Sequence, residues 1–350
     1  MDSPSLKHED YTVGWICALS KEMAAATAML DETHKDLTQP STDSNTYCLG
    51  RIGEHNIAIT CLPKGEIGNN PAATVASRMS STFKSIRFGL MVGVGGGVPS
   101  KRHDIRLGDV VVSAPTGQHG GVVQWDFGKT TKDGFKHTGT LNRPPAVLMT
   151  ALSKLEATHL KEDSKISKYL SEMAIKYPKM SSKFTRQASM DDVLFDAKYN
   201  HVGDDDETCS SSGCDTSKII SRHPRYDVAI HYGLIASGNQ VVRHGVERDE
   251  ISKGLGGVLC FEMEAAGLVN EFPCIVIRGI CDYADSHKNK EWQGYAAATA
   301  AAFAKELLNM IPANQVVNTR TVDEAIRELV DEVGEAVKVT QRVEVKVEGM

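Results

Sequence analysis

No uninterrupted apolar stretch in this 350-residue chain approaches the about 20 residues that a membrane-spanning helix needs. A basic excess is also missing. The 39 Lys plus Arg stand against 45 Asp plus Glu, a formal charge of −6, which argues against a dedicated nucleic-acid-binding surface. The opening residues, Met1 to Asp10, carry acidic side chains and no apolar core, which counts against a signal peptide. There is no internal repeat and no low-complexity tract. The eight cysteines stand at 17, 48, 61, 209, 214, 260, 274 and 281, mostly in apolar segments where a thiol behaves as a small hydrophobe. A reduced, cytoplasmic protein is the expectation. What is present suits a sizeable core: 41% of the residues are hydrophobic, at a length that fits one large domain or two modest ones.

Short apolar runs alternate with helical patterns, which indicates an α/β fold with a central mixed, twisted sheet flanked by helices. The runs Val13–Leu19, Ile57–Leu62, Phe88–Val94, Asp109–Ser113, Val228–Ile235, Gly257–Phe261 and Cys274–Ile280 read as strands. Helices are expected over Lys21–Leu30 behind a Ser20 cap, Pro71–Phe83, Glu262–Asn270 and the Ala-rich Trp292–Met310. A polar insert at about 151–225, helical in pattern up to about Lys176, interrupts this alternation. The catalytic-type domain is expected over 11–311 and a tail over 312–350. In that tail Val322, Ile326, Leu329, Val333 and Val337 keep the spacing of one amphipathic helix face.

Three local features carry chemistry. Gly93-Val-Gly-Gly-Gly97 follows a strand but lacks the third glycine of a dinucleotide fingerprint, its place being taken by Val98, and no Gly-Lys-Ser/Thr follows. It reads as a glycine-rich turn that lets a ligand approach the backbone, or as a tight structural turn. Cys209 and Cys214, with His201 and His223 on either side, lack the second pair of a zinc ribbon, and a surface loop is the preferred reading. Glu264, in Phe261-Glu-Met-Glu264, sits where a strand ends, as does Asp282 in Arg278-Gly-Ile-Cys-Asp282. The carboxyl ends of strands are where α/β proteins bind ligands, and an ionised carboxylate suits a pair of sugar hydroxyls. The competing readings are a solvated helix start for Glu264 and a helix cap for Asp282.

Taken in order, Val13-Gly-Trp-Ile-Cys-Ala-Leu-Ser-Lys-Glu22, Val92–Gly97, Leu107-Gly-Asp-Val-Val-Val112, Gly233–Gly238, Phe261–Glu264 and Val276–Asp282 form a pattern. It resembles the nucleoside phosphorylase/nucleosidase superfamily, most closely the methylthioadenosine/S-adenosylhomocysteine nucleosidases. It is especially similar to the version of that domain at the front of fungal NACHT- and ankyrin-containing proteins. The resemblance covers roughly 11–150 and 226–310 and implies a three-layer sandwich that cleaves a purine–ribose bond.

Carried over by position, the resemblance implies that Asp282 is the general acid toward N7 of the purine. For that role its pKa must be raised by burial or by the substrate. It makes Glu22 the group that orients and deprotonates water, Glu264 the carboxylate on the ribose hydroxyls and Met263 a packing surface for the sugar. Val241 and Val242 fall beside the base, Gly95 and Gly96 line the ligand with backbone, and Arg278 orients the carboxylates. The phosphate-holding arginines of phosphorylases are absent from Ala18–Glu22, which favours water as nucleophile. Cys281 replaces the usual Ser beside the acid. Lys101, Arg102 and Arg106 are candidates to meet a 5′-phosphate chain, against the slightly favoured reading of an exposed basic loop or subunit contact. The expectation is therefore a hydrolytic N-glycosidase of a purine nucleoside or nucleotide, adenosine-type and extending to ATP. It would need no metal or organic cofactor, and would act as a homo-oligomer without nucleic-acid or membrane partners. A phosphate-dependent phosphorylase and a catalytically silent nucleotide-sensing module are the alternatives.

Overall fold

The fold was derived from a computed structural model, which describes residues 6–324 and Arg327, apart from 133, 205, 206 and 289. The expected tail helix therefore lies outside the described residues beyond its first turn. Val322 is buried there, and its N–H donates to the Ile86 carbonyl at 2.8 Å.

The first half of the chain supplies β1 (Val13–Cys17), α1 (Ser20–Ala28), β2 (Glu32–Thr33), β3 (Tyr47–Ile52), β4 (His55–Cys61), α2 (Asn69–Thr82) and β5 (Phe88–Gly97). Then come β6 (Val110–Ser113), β7 (Val122–Gln124) and a small hairpin of β8 (Gly128–Thr131) and β9 (Gly134–His137). Four helices follow: α3 (Ala146–His159), α4 (Ile166–Lys176), α5 (Pro178–Phe184) and the single turn α6 (Cys209–Ser212). The chain returns to the sheet with β10 (Ile230–Ser237), α7 (Gly245–Gly254), β11 (Val258–Glu262) and β12 (Cys274–Asp282). Then follow α8 (Gln293–Leu308) and α9 (Ala313–Val317).

The sheet runs β11-β10-β6-β12-β5-β1-β4-β3-β2, with β7 added beside β10. Its centre, β12-β5-β1-β4, is parallel. The antiparallel pairing of β12 with β6 and of β3 with β4 makes the sheet mixed. The far end of β5 also pairs with β11, so that β5, β12, β6, β10 and β11 close on one another. Alternate residues of the central strands feed two cores. Trp15, Leu90, Val92, Ile275 and Ile277 pack with α1 and α8 on one face, while Ile16, Met91 and Val276 pack with α2 on the other. Strands buried on both faces read as unbroken apolar runs, and that pattern yields a three-layer sandwich.

The Ala-rich face of α8 decides how closely the layers approach. A Cβ at Gly279 would collide with the backbone of Ala296, so strand and helix touch main chain to main chain. The polar segment after residue 150 is not a detached unit along its whole length. Leu152, Leu155, Ile166, Leu170 and Met173 of α3 and α4 belong to the same core as α8.

Two local expectations are corrected. The glycine cluster is not a turn: β5 continues to Gly97, with Gly95 and Gly96 in register with Ile280 and Asp282. Nor does β11 lead into an α-helix at Glu262. It ends there, and only a short 3₁₀ turn, Ala265–Gly267, follows. Glu262 uses its carboxylate to accept the N–H groups of Glu264 and Ala265, at 3.1 Å to Oε2, which folds the chain back before a helix can propagate.

Candidate active site

Strands β5, β11 and β12 end together beside the first turn of α1, and a cavity of about 390 Å³ opens there. It is lined by Glu22, Gly95, Gly96, Val241, Val242, Met263, Glu264, Arg278 and Asp282, along with residues the motifs did not single out. Nine positions expected from distant parts of the sequence thus share one concavity.

Glu22 reaches the cavity from α1. Ser20 is not the cap of that helix. Instead Glu22 bends back so that its Oε2 accepts from the N–H groups of Ala18 (2.7 Å) and Leu19 (2.9 Å). Its Oε1 accepts from Val94 N–H on β5 at 2.8 Å. Burial raises the pKa of this carboxyl, against the opposing pull of Arg278 and the three amide donors. Space for it is left by Gly93, where a Cβ would fall onto the Glu22 carboxylate and 2.7 Å from Arg278 Nη1.

Arg278 is 1% exposed and forms the hub of the site. Its Nη2 donates to Glu262 Oε2 and, at 3.4 Å, to Glu264 Oε2, while its Nη1 donates to the Val94 carbonyl at 3.3 Å. Glu264 is not a solvated residue at a helix start. It is 5% exposed, and its Oε1 accepts from Gly68 N–H at 3.4 Å. Burial pushes its pKa up to about 7, which Arg278 opposes and the neighbouring Glu262 and Glu22 reinforce.

Asp282 closes β12. Its Oδ1 accepts from Ala284 N–H at 2.9 Å, which closes a local turn and caps no helix, since the next helix is capped at Trp292. Ala284 adopts φ 50°, a left-handed conformation that side chains other than glycine's seldom take. Oδ2 accepts from Cys281 Sγ at 3.1 Å and from Lys288 Nζ at 3.0 Å. The role expected of Asp282 asks for a pKa raised by burial or by the substrate, and beside Lys288 it is lowered. Burial pushes it up, but Lys288, the Cys281 thiol and the Ala284 amide together outweigh burial. Lys288 is a cavity residue, paired with Asp282, that motif reasoning missed. It follows the strand by six positions on an irregular loop, so no periodicity marks it. The one available signal was its place beyond the carboxyl end of a central strand. Lys290 and Gln240, which lie between regular elements, and Gln293, at the start of α8, also line the cavity and belong to no motif.

The phosphate candidates do not join this group. Lys101 and Arg102 are exposed on the turn after β5, and neither lines the cavity. Arg106 is buried elsewhere, its guanidinium held by Asp104 at 2.7 Å. The lysines that do face the cavity are Lys288 and Lys290. Val242 is buried, whereas Val241 and, across the opening, Ile67 are each 48% exposed.

The sheet, its two-sided core and the carboxylates at the strand ends together define an α/β domain with a carboxylate-lined cavity at its strand ends. Residues 12–311 match the model of the phosphorylase superfamily, and the chain belongs to that family. A nucleotide-binding leucine-rich repeat-like protein of Hyaloscypha variabilis is 47% identical over 311 residues, which cover 88% of this chain and 30% of that protein. This chain therefore corresponds to under a third of that relative. A 5′-methylthioadenosine/S-adenosylhomocysteine nucleosidase of Mycobacterium bovis is 23% identical, with 86% of this chain and 97% of the relative covered. Among solved structures, the futalosine hydrolase of Helicobacter pylori aligns with TM-score 0.55 at 16% identity, covering 87% of this chain and 99% of that one. A protein of Borrelia burgdorferi bound to adenine gives 0.55 at 17% identity, covering 86% and 100%. At those identities the structural likeness shows the fold.

Proposed function

We propose that this chain hydrolyses the N-glycosidic bond of a purine nucleoside or nucleotide, releasing free base and ribose or a ribose phosphate. The observation that carries the reading is the convergence of Glu22, Glu264 and Asp282 on one cavity around Arg278. Asp282 gives a proton to the purine ring as the C1′–N9 bond breaks, so the bonding electrons leave with a neutral base. Glu264 accepts hydrogen bonds from the ribose hydroxyls and favours the positive charge that develops on the sugar. Glu22 takes a proton from water as the water oxygen bonds to C1′. A base made stronger by burial suits that task.

Two further observations bear on the details. Arg278, the one arginine lining the cavity among the described residues, is committed to Glu262 and Glu264, which supports water over phosphate as nucleophile. Lys288 holds Asp282 ionised, so the acid is loaded when a substrate draws Lys288 away. A substrate with a phosphate group supplies an acceptor for that ammonium. The test is to incubate the protein with adenosine, methylthioadenosine, inosine, AMP and ATP, with and without inorganic phosphate, and to measure free base. Strict dependence on phosphate would establish the phosphorylase alternative. No release from any of the five would favour a silent binding module.

A further inference from the structure

Beside the site, the chain gathers four metal-binding side chains that the proposed chemistry does not use. His201, Cys214 and His287 each offer one ligand atom, and these atoms lie within 4.8 Å of one another. His201 Nδ1 stands 3.3 Å from Cys214 Sγ and 3.7 Å from Cys209 Sγ. Around a tetrahedral zinc with ordinary Zn–S and Zn–N bonds, a ligand sulfur and a ligand nitrogen are about 3.6 Å apart. His201, Cys214 and His287 are thus already spaced as ligands of one ion, with Cys209 beside His201 as a fourth donor.

His287 gives the independent indication. Its side chain is 6% exposed, yet neither ring nitrogen has a hydrogen-bond partner. The carboxylate oxygen Asp285 Oδ1 is 3.7 Å from Nδ1, beyond hydrogen-bond reach. The ring is held by stacking on Phe195, with centroids 4.0 Å apart and planes 12° from parallel. A buried imidazole with both nitrogens unsatisfied calls for an explanation, and a metal ion supplies one.

We propose that His201, Cys209, Cys214 and His287 form a zinc site that fastens the stretch carrying the two cysteines to the loop after Asp282. Thiolate and imidazole ligands select zinc over magnesium or calcium. A closed set of four protein ligands marks a structural site with no open position for catalysis. The join has a second, metal-free tie, the His201 N–H donating to Ser286 Oγ at 2.8 Å. His287 immediately precedes Lys288, so the metal would position the lysine that pairs with Asp282. This replaces the surface-loop reading of Cys209 and Cys214. The second imidazole comes from beyond β12, where spacing along the sequence could not reveal it.

The test uses the untagged full chain, purified without chelator and analysed for metal by mass spectrometry. One zinc per chain is expected in the wild type, falling at least tenfold in C209S and H287Q. Because H287Q can lose its fold, chelator-stripped wild type is also titrated with cobalt(II). Saturation at one equivalent, with the visible bands of tetrahedral cobalt and a thiolate charge-transfer band, supports the site. The proposal is overturned by wild-type protein that carries no zinc, gives no tetrahedral cobalt spectrum and shows Cys209 and Cys214 as free thiols or as a disulfide.

Discussion

Asp282 and Glu264 are both buried carboxyls, yet their surroundings drive them in opposite directions. Lys288 keeps Asp282 ionised, whereas Glu264, with Arg278 shared among several carboxylates, titrates near neutrality. A general acid works only in its protonated form, so its contribution falls as pH rises through its pKa. Removing Lys288 lifts that pKa. K288M is therefore expected to move the high-pH fall in kcat/KM for base release to higher pH, and an unmoved profile would refute the pairing. Glu264 accepts from ribose hydroxyls with both oxygens only when ionised. Ligand affinity should rise as pH climbs through about 7, and titration calorimetry on E264Q should show that rise flattened. The same upward shift from 4.5 means that the folded state keeps a proton the unfolded chain has released. This contribution to stability is present below about 4.5 and is lost as pH rises through about 7. The carboxylates themselves were legible in the sequence because each closes a motif. Lys288 was not, because an ion pair made across an irregular loop has no period.

At the scale of elements, β5 shows how a strand can be mistaken for a turn. Glycine clusters usually punctuate, and Gly93 to Gly97 were read that way. Here they keep the strand extended while clearing space for side chains from other elements: Glu22 and Arg278 at Gly93, and Asp282 at Gly96, where a Cβ would stand 2.7 Å from Oδ1. G93A is expected to cost about 1–3 kcal/mol by overpacking and to suppress base release as Glu22 is displaced. Urea denaturation alongside the base assay checks both, and unchanged values would show that Glu22 has slack. The missed end of β11 has a related cause. A helix is expected over Glu262–Asn270, but the Glu262 carboxylate captures the next amides and Arg278 holds that carboxylate in place. Tertiary contacts override local propensity at this point.

Across the whole molecule, the alternating apolar runs disclosed the sandwich because the two-sided burial of its central strands leaves an unmistakable pattern. The helices after residue 150 were harder to place. Their exposed faces are mostly polar, and the packing of Leu152, Leu155, Ile166, Leu170 and Met173 in the core of α8, with His159 and the Lys165 N–H on Glu306, ties them to the sandwich. We propose that the expected homo-oligomer covers the cavity mouth, where Ile67 and Val241 are half-exposed. Sedimentation analysis should then find an oligomer that V241E weakens, and a wild-type monomer at assay concentrations would contradict this. The central claim is a hydrolytic cleavage driven by Asp282, and one assay addresses it most directly: free base released from adenosine-type substrates in phosphate-free buffer, by wild type and by D282N. The account predicts release without phosphate and a loss of about 10²-fold or more in D282N. Release that requires phosphate, or that D282N leaves undiminished, would contradict it.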